Sequence, residues 1–274
     1  MSSRGTDLLI YGHVGFDVDV RNGRETRTVG GAAYYTSLSA RAAGARVRLA
    51  SVLGADFPST YLQGIDCSLC ASSTLASAVF RQTYDAQEDI VAFEAELNAC
   101  STMRPALMGG ADCAAAVMIT AAPPREQRAA LEWLAKENYT GIVAIDTAIA
   151  YVGEFARLLT EYGGLLAIVL LNEQEYGHVR HCLPATATSV VKRGAKGAYI
   201  VGSDSGHCSA PAVGRVHTTT GAGDVLAGAM LAFLLAGMDL PVALNLAVER
   251  ASLYVQYGPA VLEADGQTHS GRPE

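Results

Sequence analysis

Short, continuously apolar segments alternate with longer helical segments along nearly the whole chain. Apolar runs without polar alternation are typical of strands buried on both faces of a parallel sheet. The alternation predicts an α/β fold, with a mostly parallel central sheet between two helical layers and residues 1–274 as a single domain. The strand segments include DLLIYG (7–12), VRLASVLG (47–54), AAVMIT (115–120), GIVAID (141–146) and LLAIVLL (165–171), and the helical segments include PPREQRAALEWLAKEN (123–138) and AYVGEFARLLTEYGG (150–164).

Two segments interrupt this alternation with strand patterns of their own. DVDVRNGRETRTVGG (17–31) alternates in polarity around Asn22-Gly23, a dipeptide that favours a tight hairpin turn. LASAVFRQTYDAQEDIVAFEAEL (75–97) indicates two more strands around a polar turn at residues 85–89. We expect a small β flap, or lid, formed by about residues 13–30 and 76–97. Peripheral hairpins without a functional role are the alternative.

Composition excludes several classes of protein. A formal net charge of −7, with no local run of lysine or arginine, argues against nucleic-acid binding. The longest purely apolar run, residues 165–171, is far too short to span a bilayer, and the N-terminus lacks the apolar core of a signal peptide. We therefore expect a cytoplasmic protein. Cys67 and Cys70 form a CxxC pair, but no second pair or nearby histidine completes a zinc site.

The stretch VHTTTGAGDVLAGAMLAFLLAG (216–237) places two glycines and one carboxylate at the start of an apolar helix. The N–H groups of a first helical turn carry partial positive charge, and Gly221 and Gly223 let the backbone approach an anion closely. Phosphate is the expected ligand, and Asp224 is suited to accept the proton of an attacking hydroxyl. An N-cap role for Asp224 is the alternative. A dinucleotide-binding loop is disfavoured because Leu226 stands where its third glycine would be.

Three motifs occur in a defined order along the chain: GHVGFD (12–17), VGGAAYYTSLSARAAGA (29–45) and TTGAGD (219–224). They are similar to the motifs of the ribokinase-like (PfkB) family of sugar and nucleoside kinases, and TTGAGD matches its C-terminal signature at every position. The resemblance covers essentially the whole chain and implies a three-layer ribokinase-like sandwich with a β lid.

The resemblance also implies roles for particular residues. Asp224 is the implied catalytic base, and the backbone of Gly221, Ala222 and Gly223 is the implied anion hole for the transferred phosphate. Asp17 is the implied ligand of the acceptor hydroxyls. The further residues implied to bind the acceptor are Gly30, Gly31 and Tyr35, and those implied to bind ATP are Asn172, Glu175, Lys192, Gly194, Gly197, Thr219 and Asn245.

Two intermediate motifs, LNEQE (171–175) and VVKRGAKGAYIV (190–201), resemble the nucleotide side of the family's site. Asn172 and Glu175 match an Asn-x-x-Glu pair, which implies that they help hold Mg²⁺ and phosphate, with Glu175 acting through water. An ordinary acid in a first helical turn is the alternative for Glu175. A solvated strand end is the alternative for Lys192.

The chain departs from the family pattern at two positions. Thr218 stands where the family often has an acid in the loop that serves a monovalent cation, so potassium activation is doubtful. Tyr35 stands where the family often has a sugar-binding asparagine, and its ring could stack on a sugar or nucleobase or simply fill volume. The lid segment is also short, which indicates an open acceptor pocket.

The function expected from the sequence is transfer of the ATP γ-phosphate to a hydroxyl of a small sugar or cyclitol, with Mg²⁺ as cofactor. A nucleoside kinase of the same family is the alternative. A non-catalytic sensor or scaffold and a nucleotide-dependent oxidoreductase are alternatives from other classes. We expect a small-molecule substrate, no nucleic-acid or membrane partner, and a possible homodimer.

Overall fold

The computed structural model describes residues 6–85, 90–202 and 206–263. The predicted polar turn at residues 85–89 therefore lies, apart from residue 85, outside the described residues. The strands are β1 (Thr6–Tyr11), β2 (Gly15–Arg21), β3 (Arg24–Gly30), β4 (Val47–Ala50), β5 (Val52–Leu53), β6 (Ala71–Ser72), β7 (Ala78–Tyr84), β8 (Ile90–Glu96), β9 (Ala114–Ile119), β10 (Ile142–Asp146), β11 (Ile168–Asn172), β12 (Thr188–Lys192), β13 (Ala198–Ile200) and β14 (His207–Cys208). The α-helices are α1 (Ala32–Ala42), α2 (Pro124–Lys136), α3 (Val152–Tyr162), α4 (Glu173–Val179), α5 (Ala222–Leu235), α6 (Leu240–Tyr257) and α7 (Ala260–Glu263).

Within the described residues, eight strands form the central sheet in the order β14-β13-β12-β11-β10-β9-β1-β4. Strand β1 pairs in parallel with β4 and β9, and parallel pairing continues through β10 and β11 to β12. Strands β13 and β14 add antiparallel pairs at one edge. The carboxyl ends of the parallel strands share one edge of the sheet, which is where α/β proteins bind their ligands.

Successive side chains of the central strands enter two separate cores. In β1, Leu8 and Ile10 pack with residues of α1, α5 and α6, whereas Leu9 and Tyr11 pack with residues of α2, α3 and α4. Both faces of the sheet are therefore buried, which explains why the strand sequences are continuously apolar. The predicted arrangement of a mostly parallel sheet between two helical layers is confirmed.

A second sheet, with strand order β3-β2-β7-β8, is formed by the two segments predicted to make the lid. Strands β2 and β3 form the expected antiparallel hairpin, while β2 runs parallel to β7. Asn22 and Gly23 have φ angles of 51° and 73°, as a two-residue hairpin turn with two left-handed central residues requires. The lid strands therefore follow from the local sequence.

The segment VRLASVLG, interpreted above as one strand, is divided between two sheets. Strand β4 pairs with β1 as far as Ala50, and β5 then leaves the central sheet and pairs with β6. Ser51, between them, is fully buried. An apolar pattern alone does not reveal this division because both halves are mostly buried.

No helix in the described part of the chain combines the length and apolar character that a membrane span requires. The single domain over residues 1–274, the cytoplasmic location and the homodimer stay predictions.

Candidate active site

Helix α5 begins at the carboxyl edge of the sheet with a glycine that no other residue can replace without strain. Gly221 precedes the helix with a φ of 78°, in the left-handed region. A Cβ atom at this position would also fall into the ring of Tyr35. Because first-turn N–H groups lack intrahelical partners, the start of α5 is suited to bind an anion.

Asp224 lies in the first turn of α5 and lines a cleft at this edge of the sheet. Burial raises the pKa of the Asp224 carboxyl well above its usual range. The neighbouring carboxylate of Asp146 raises it further, while the ammonium of Lys192 opposes the rise. A raised pKa makes the carboxylate a stronger base, as proton abstraction from an alcohol requires.

Asp17, on lid strand β2, lines the same cleft and is almost completely buried. The Tyr35 hydroxyl donates a hydrogen bond to Asp17 Oδ2 at 2.7 Å. Burial raises the pKa of Asp17 to about 7, although the Tyr35 hydrogen bond opposes the rise. A Cβ atom at Gly30 would overlap the Asp17 carboxyl group, which explains the need for glycine there. Tyr35 thus has a role that sequence analysis did not anticipate, that of a hydrogen-bond donor to Asp17.

We expect Asp17→Asn to stabilise the protein increasingly as the pH rises. The carboxyl group has a pKa near 3.8 when unfolded and about 7 when folded. Its contribution to stability is therefore complete below the unfolded pKa and is lost as the pH rises through the folded value. The uncharged amide avoids this loss, and its oxygen can still accept from Tyr35. Urea unfolding should show the variant gaining roughly 2 kcal/mol over the native protein between about pH 5 and about pH 8. A gain independent of pH would contradict the raised pKa of Asp17.

Lys192 forms a short ion pair at the end of β12, with Nζ 2.5 Å from Asp146 Oδ2. Burial opposes the charged ammonium, but the carboxylates of Asp146, Glu175 and Asp224 outweigh this effect and raise the pKa of Lys192. The ammonium also lies beside the Gly223 backbone at the start of α5. Lys192 is therefore a charged group held next to the candidate anion hole rather than a solvated strand end.

Asn172 and Glu175 form a reciprocal capping box at the start of α4. Asn172 Oδ1 accepts from the Glu175 backbone N–H at 2.8 Å, and Glu175 Oε2 accepts from the Asn172 backbone N–H at 2.7 Å. Burial raises the pKa of Glu175 to about 7, while Lys192 lowers it and Asp146 raises it further. The pair therefore has a structural role, and its role in holding Mg²⁺ and phosphate stays a prediction.

The donor set around Glu175 is compatible with Mg²⁺. Within the described ranges, no group of three or more His, Cys, Asp or Glu side chains is arranged to hold a metal ion. Mg²⁺ prefers oxygen ligands, keeps several of its waters and binds through only one or two carboxylates together with substrate phosphates. The carboxylates of Glu175 and Asp146, which interact electrostatically beside Lys192, fit this mode of binding.

The remaining residues predicted to bind ATP lie on loops or exposed surfaces. Thr219 is exposed just before the α5 start, and Gly194 and Gly197 shape the turn between β12 and β13. Asn245 is exposed on α6, and its amide donates to Glu249 Oε1 at 3.1 Å. The contacts given for these residues are contacts within the protein, so their roles in binding ATP stay predictions.

A buried polar pair that sequence analysis missed borders the cleft on the side of α2. His13 Nε2 lies 2.5 Å from Glu126 Oε2, and both side chains are almost completely buried. The His13 ring also stacks on Phe80 of the lid, with ring centroids 6.2 Å apart. His13 lies inside the quoted GHVGFD motif, but its partner is 113 residues away, so the spacing gave no signal.

Aromatic side chains from separate elements line this part of the cleft. Phe80 and Phe93 come from lid strands β7 and β8, and Tyr151 comes from the segment after β10. Together with the ring of His13 they form an aromatic wall. The carboxylates of Asp17 and Asp224 form the second, carboxylate wall of the same cleft.

Thr220, in the loop before α5, contacts the lid. Thr220 Oγ1 donates to Asp19 Oδ2 at 2.7 Å and lies 2.8 Å from the Tyr84 hydroxyl. The Tyr254 hydroxyl donates to the Thr220 backbone carbonyl at 2.7 Å. These contacts hold the lid against the loop that precedes the candidate anion hole, and the functional role of the lid stays a prediction.

Comparison with known proteins shows that this chain is similar to kinases. A family model described as pfkB family carbohydrate kinase matches residues 6–263. A cytidine kinase from Thermococcus kodakarensis is 28% identical over 269 residues, which cover 89% of this chain and 94% of that protein.

Solved structures share the fold at low sequence identity. The nucleoside kinase of Burkholderia thailandensis, in complex with inosine, superimposes with a TM-score of 0.80, 19% identity and 94% of each chain covered. The ribokinase of Cryptococcus neoformans var. grubii, in complex with ADP, gives a TM-score of 0.76 and 17% identity, covering 93% of this chain and 98% of that chain. The expected ribokinase-like fold is confirmed.

Proposed function

This chain belongs to the pfkB family of carbohydrate kinases, and we propose that it transfers the γ-phosphoryl group of ATP to a hydroxyl group of a nucleoside. Sequence analysis placed a sugar or cyclitol acceptor first and a nucleoside second. The similarity to a cytidine kinase supports the reverse order. The observation that carries the proposal is one cleft with a carboxylate wall and an aromatic wall.

The two walls line one cleft and meet on the lid, where Asp17 of β2 is the direct cross-strand partner of Phe80 of β7. The carboxylate wall belongs to the α1 and α5 side, because Asp17 is hydrogen-bonded to Tyr35 of α1 and Asp224 begins α5. The aromatic wall belongs to the α2 side, because His13 pairs with Glu126 of α2. A nucleoside has hydroxyl groups at one end and a planar base at the other. Each base that stacks on an aromatic side chain gains about 1–3 kcal/mol, whereas a cyclitol has no such group.

The carboxylate wall supplies the groups that act on the acceptor hydroxyl. Asp17 orients the hydroxyl as a hydrogen-bond acceptor, and Asp224 takes its proton as the oxygen attacks the γ-phosphorus. The bond from phosphorus to the bridging oxygen breaks, and ADP leaves with that oxygen. The backbone N–H groups at the start of α5 stabilise the charge on the transferred group, assisted by the ammonium of Lys192.

Glu175 and Asp146 would hold a magnesium ion that arrives with the nucleotide, and Asn172 would help to hold the ion and the phosphates. Bound Mg²⁺ would neutralise negative charge on the phosphates. The capping box of Asn172 and Glu175 fixes the Glu175 carboxyl group before the nucleotide binds.

An ADP-release assay with MgATP and a panel of nucleosides, ribose and myo-inositol tests the proposal. We expect kcat/KM for at least one nucleoside to exceed that for ribose and for myo-inositol by about tenfold or more, because only the nucleoside contacts both walls. A higher value for ribose or the cyclitol would return the sugar interpretation to first place. Binding of nucleotide and nucleoside without ADP release would support the sensor interpretation.

Phe93→Ala tests the aromatic wall separately. Loss of the ring is expected to raise KM for the preferred nucleoside about tenfold and to leave KM for ribose within about twofold. Glu94→Gln is the matched control, because neighbouring side chains of a strand point to opposite faces and Glu94 is exposed. An equal loss with both acceptors would remove the aromatic wall from base binding.

A further inference from the structure

The His13–Glu126 pair has no part in the phosphoryl transfer described above, yet it borders the cleft that receives the acceptor. A carboxylate only accepts hydrogen bonds, so Nε2 is the donor in the 2.5 Å contact. In the tautomer that carries its one ring proton on Nε2, the other ring nitrogen, Nδ1, is an acceptor. It has no hydrogen-bond partner among the residues that the structure describes.

Further acceptors lie beside this pair on α2. In the described part of the chain, Glu126 Oε1 and Gln127 Oε1 are buried without hydrogen-bond partners, and the Arg125 guanidinium lies 3.8 Å from Glu126 Oε1. The Gln127 amide nitrogen already donates to the carbonyls of Thr120 at 3.0 Å and Asp146 at 2.7 Å, so its orientation is fixed. Of these residues, His13 lines the cleft, and a ligand group that pairs with its Nδ1 must be a donor.

Nucleosides differ in whether the exocyclic group of the base donates or accepts a hydrogen bond. Cytosine and adenine present an amino group, which donates hydrogen bonds, whereas uracil and hypoxanthine present a carbonyl oxygen at the same place, which accepts them. The base reaches the aromatic wall, of which His13 is a member.

We propose that His13 is a specificity-determining residue whose Nδ1 accepts a hydrogen bond from the exocyclic amino group of the base, and that Glu126 is the residue that positions it. This proposal rests on the proposed nucleoside kinase function. The hydrogen bond to His13 Nδ1 selects amino nucleosides, such as cytidine and adenosine, over keto nucleosides, such as uridine and inosine.

Kinetic comparison of matched substrate pairs tests the proposal in the native protein. We expect kcat/KM for cytidine over uridine, or for adenosine over inosine, to be about tenfold or more. The keto base leaves Nδ1 unpaired and opposes it with a second acceptor, and a tenfold ratio corresponds to about 1.4 kcal/mol. The members of each pair are nearly isosteric, so a shape effect alone does not separate them.

Glu126→Gln tests the positioning role. An amide can donate as well as accept, so the ring proton is no longer restricted to Nε2 and Nδ1 can become a donor. The amino-to-keto ratio of kcat/KM is expected to fall at least about fivefold, mainly because the keto nucleoside is used better. Glu137→Gln, at the exposed end of the same helix, is the control and should leave the ratio unchanged.

A double variant, His13→Phe with Glu126→Gln, keeps a ring against Phe80 and removes both the ring nitrogens and the buried carboxylate. Its amino-to-keto ratio is expected to approach 1, and its melting temperature shows whether it folds. A native ratio near 1, or a ratio unchanged in Glu126→Gln, would overturn the His13 proposal while leaving the nucleoside kinase function in place. Phosphorylation of no nucleoside at all would overturn both.

Discussion

Asp224→Asn should lower kcat by roughly 10²–10⁴ while nucleotide affinity stays close to that of the native protein. The amide has nearly the same shape as the carboxylate, so the start of α5 keeps its backbone N–H groups. It cannot accept the proton of the attacking hydroxyl, however. The raised pKa of Asp224 makes the native group a strong base, and that property is what the substitution removes. ADP release at saturating substrate and titration with ADP measure the two quantities.

Asp239→Asn is the matched control for this experiment. Asp239 is the residue just before α6, so it is also an aspartate at a helix start. Unlike Asp224, it is exposed, and it makes no side-chain capping hydrogen bond. Its substitution should leave kcat within about twofold and the free energy of unfolding within about 0.5 kcal/mol. Near-native turnover in Asp224→Asn would show that this carboxylate is not the base and that its position at the helix start is only structural.

Lys192→Met should lower the free energy of unfolding by about 3 kcal/mol and abolish most activity. The Asp146 side chain is only 2% exposed, so removal of the ammonium leaves a buried carboxylate without its ion-pair partner. The carboxyl groups of Asp224 and Glu175 also lose the positive charge that opposes their raised pKa values. Urea unfolding measures the loss.

Two further variants separate stability from activity. Lys196→Met is the matched control, because Lys196 is exposed and its nearest carboxylate, on Glu173, is 3.9 Å away. It should change the free energy of unfolding by less than about 0.5 kcal/mol. The double variant Asp146→Asn with Lys192→Met removes both partners of the ion pair and should recover most of the stability but not the activity. Recovery of activity in the double variant would contradict a role for Lys192 in phosphate binding.

Features that depend on neighbours in sequence were predicted well. The Asn22-Gly23 turn and the start of α5 at GAGD both follow from local backbone preferences, namely left-handed φ angles and first-turn N–H groups. The apolar strands followed from periodicity, since a strand buried on both faces needs apolar residues at every position.

Features that depend on distant contacts were not predicted. Tyr35 was expected to stack or to fill volume, but its hydroxyl donates to Asp17 on the lid. Asp146 ended a recognised strand without any sign that Lys192 would pair with it. The polarity of a residue shows that it needs a partner when it is buried, but it does not show which one.

The order of residues along the chain determined the α/β class, the lid strands and the position of the candidate anion-binding helix start, because each rests on interactions within a few residues. Only the tertiary structure decided how the cleft is divided into its two walls. Strand pairing brings the carboxyl ends of β1, β9 and β10 to one edge of the sheet, and there His13 meets Glu126 of α2 across 113 residues of chain. The choice of acceptor that we propose therefore depends on contacts that form when the sheet assembles.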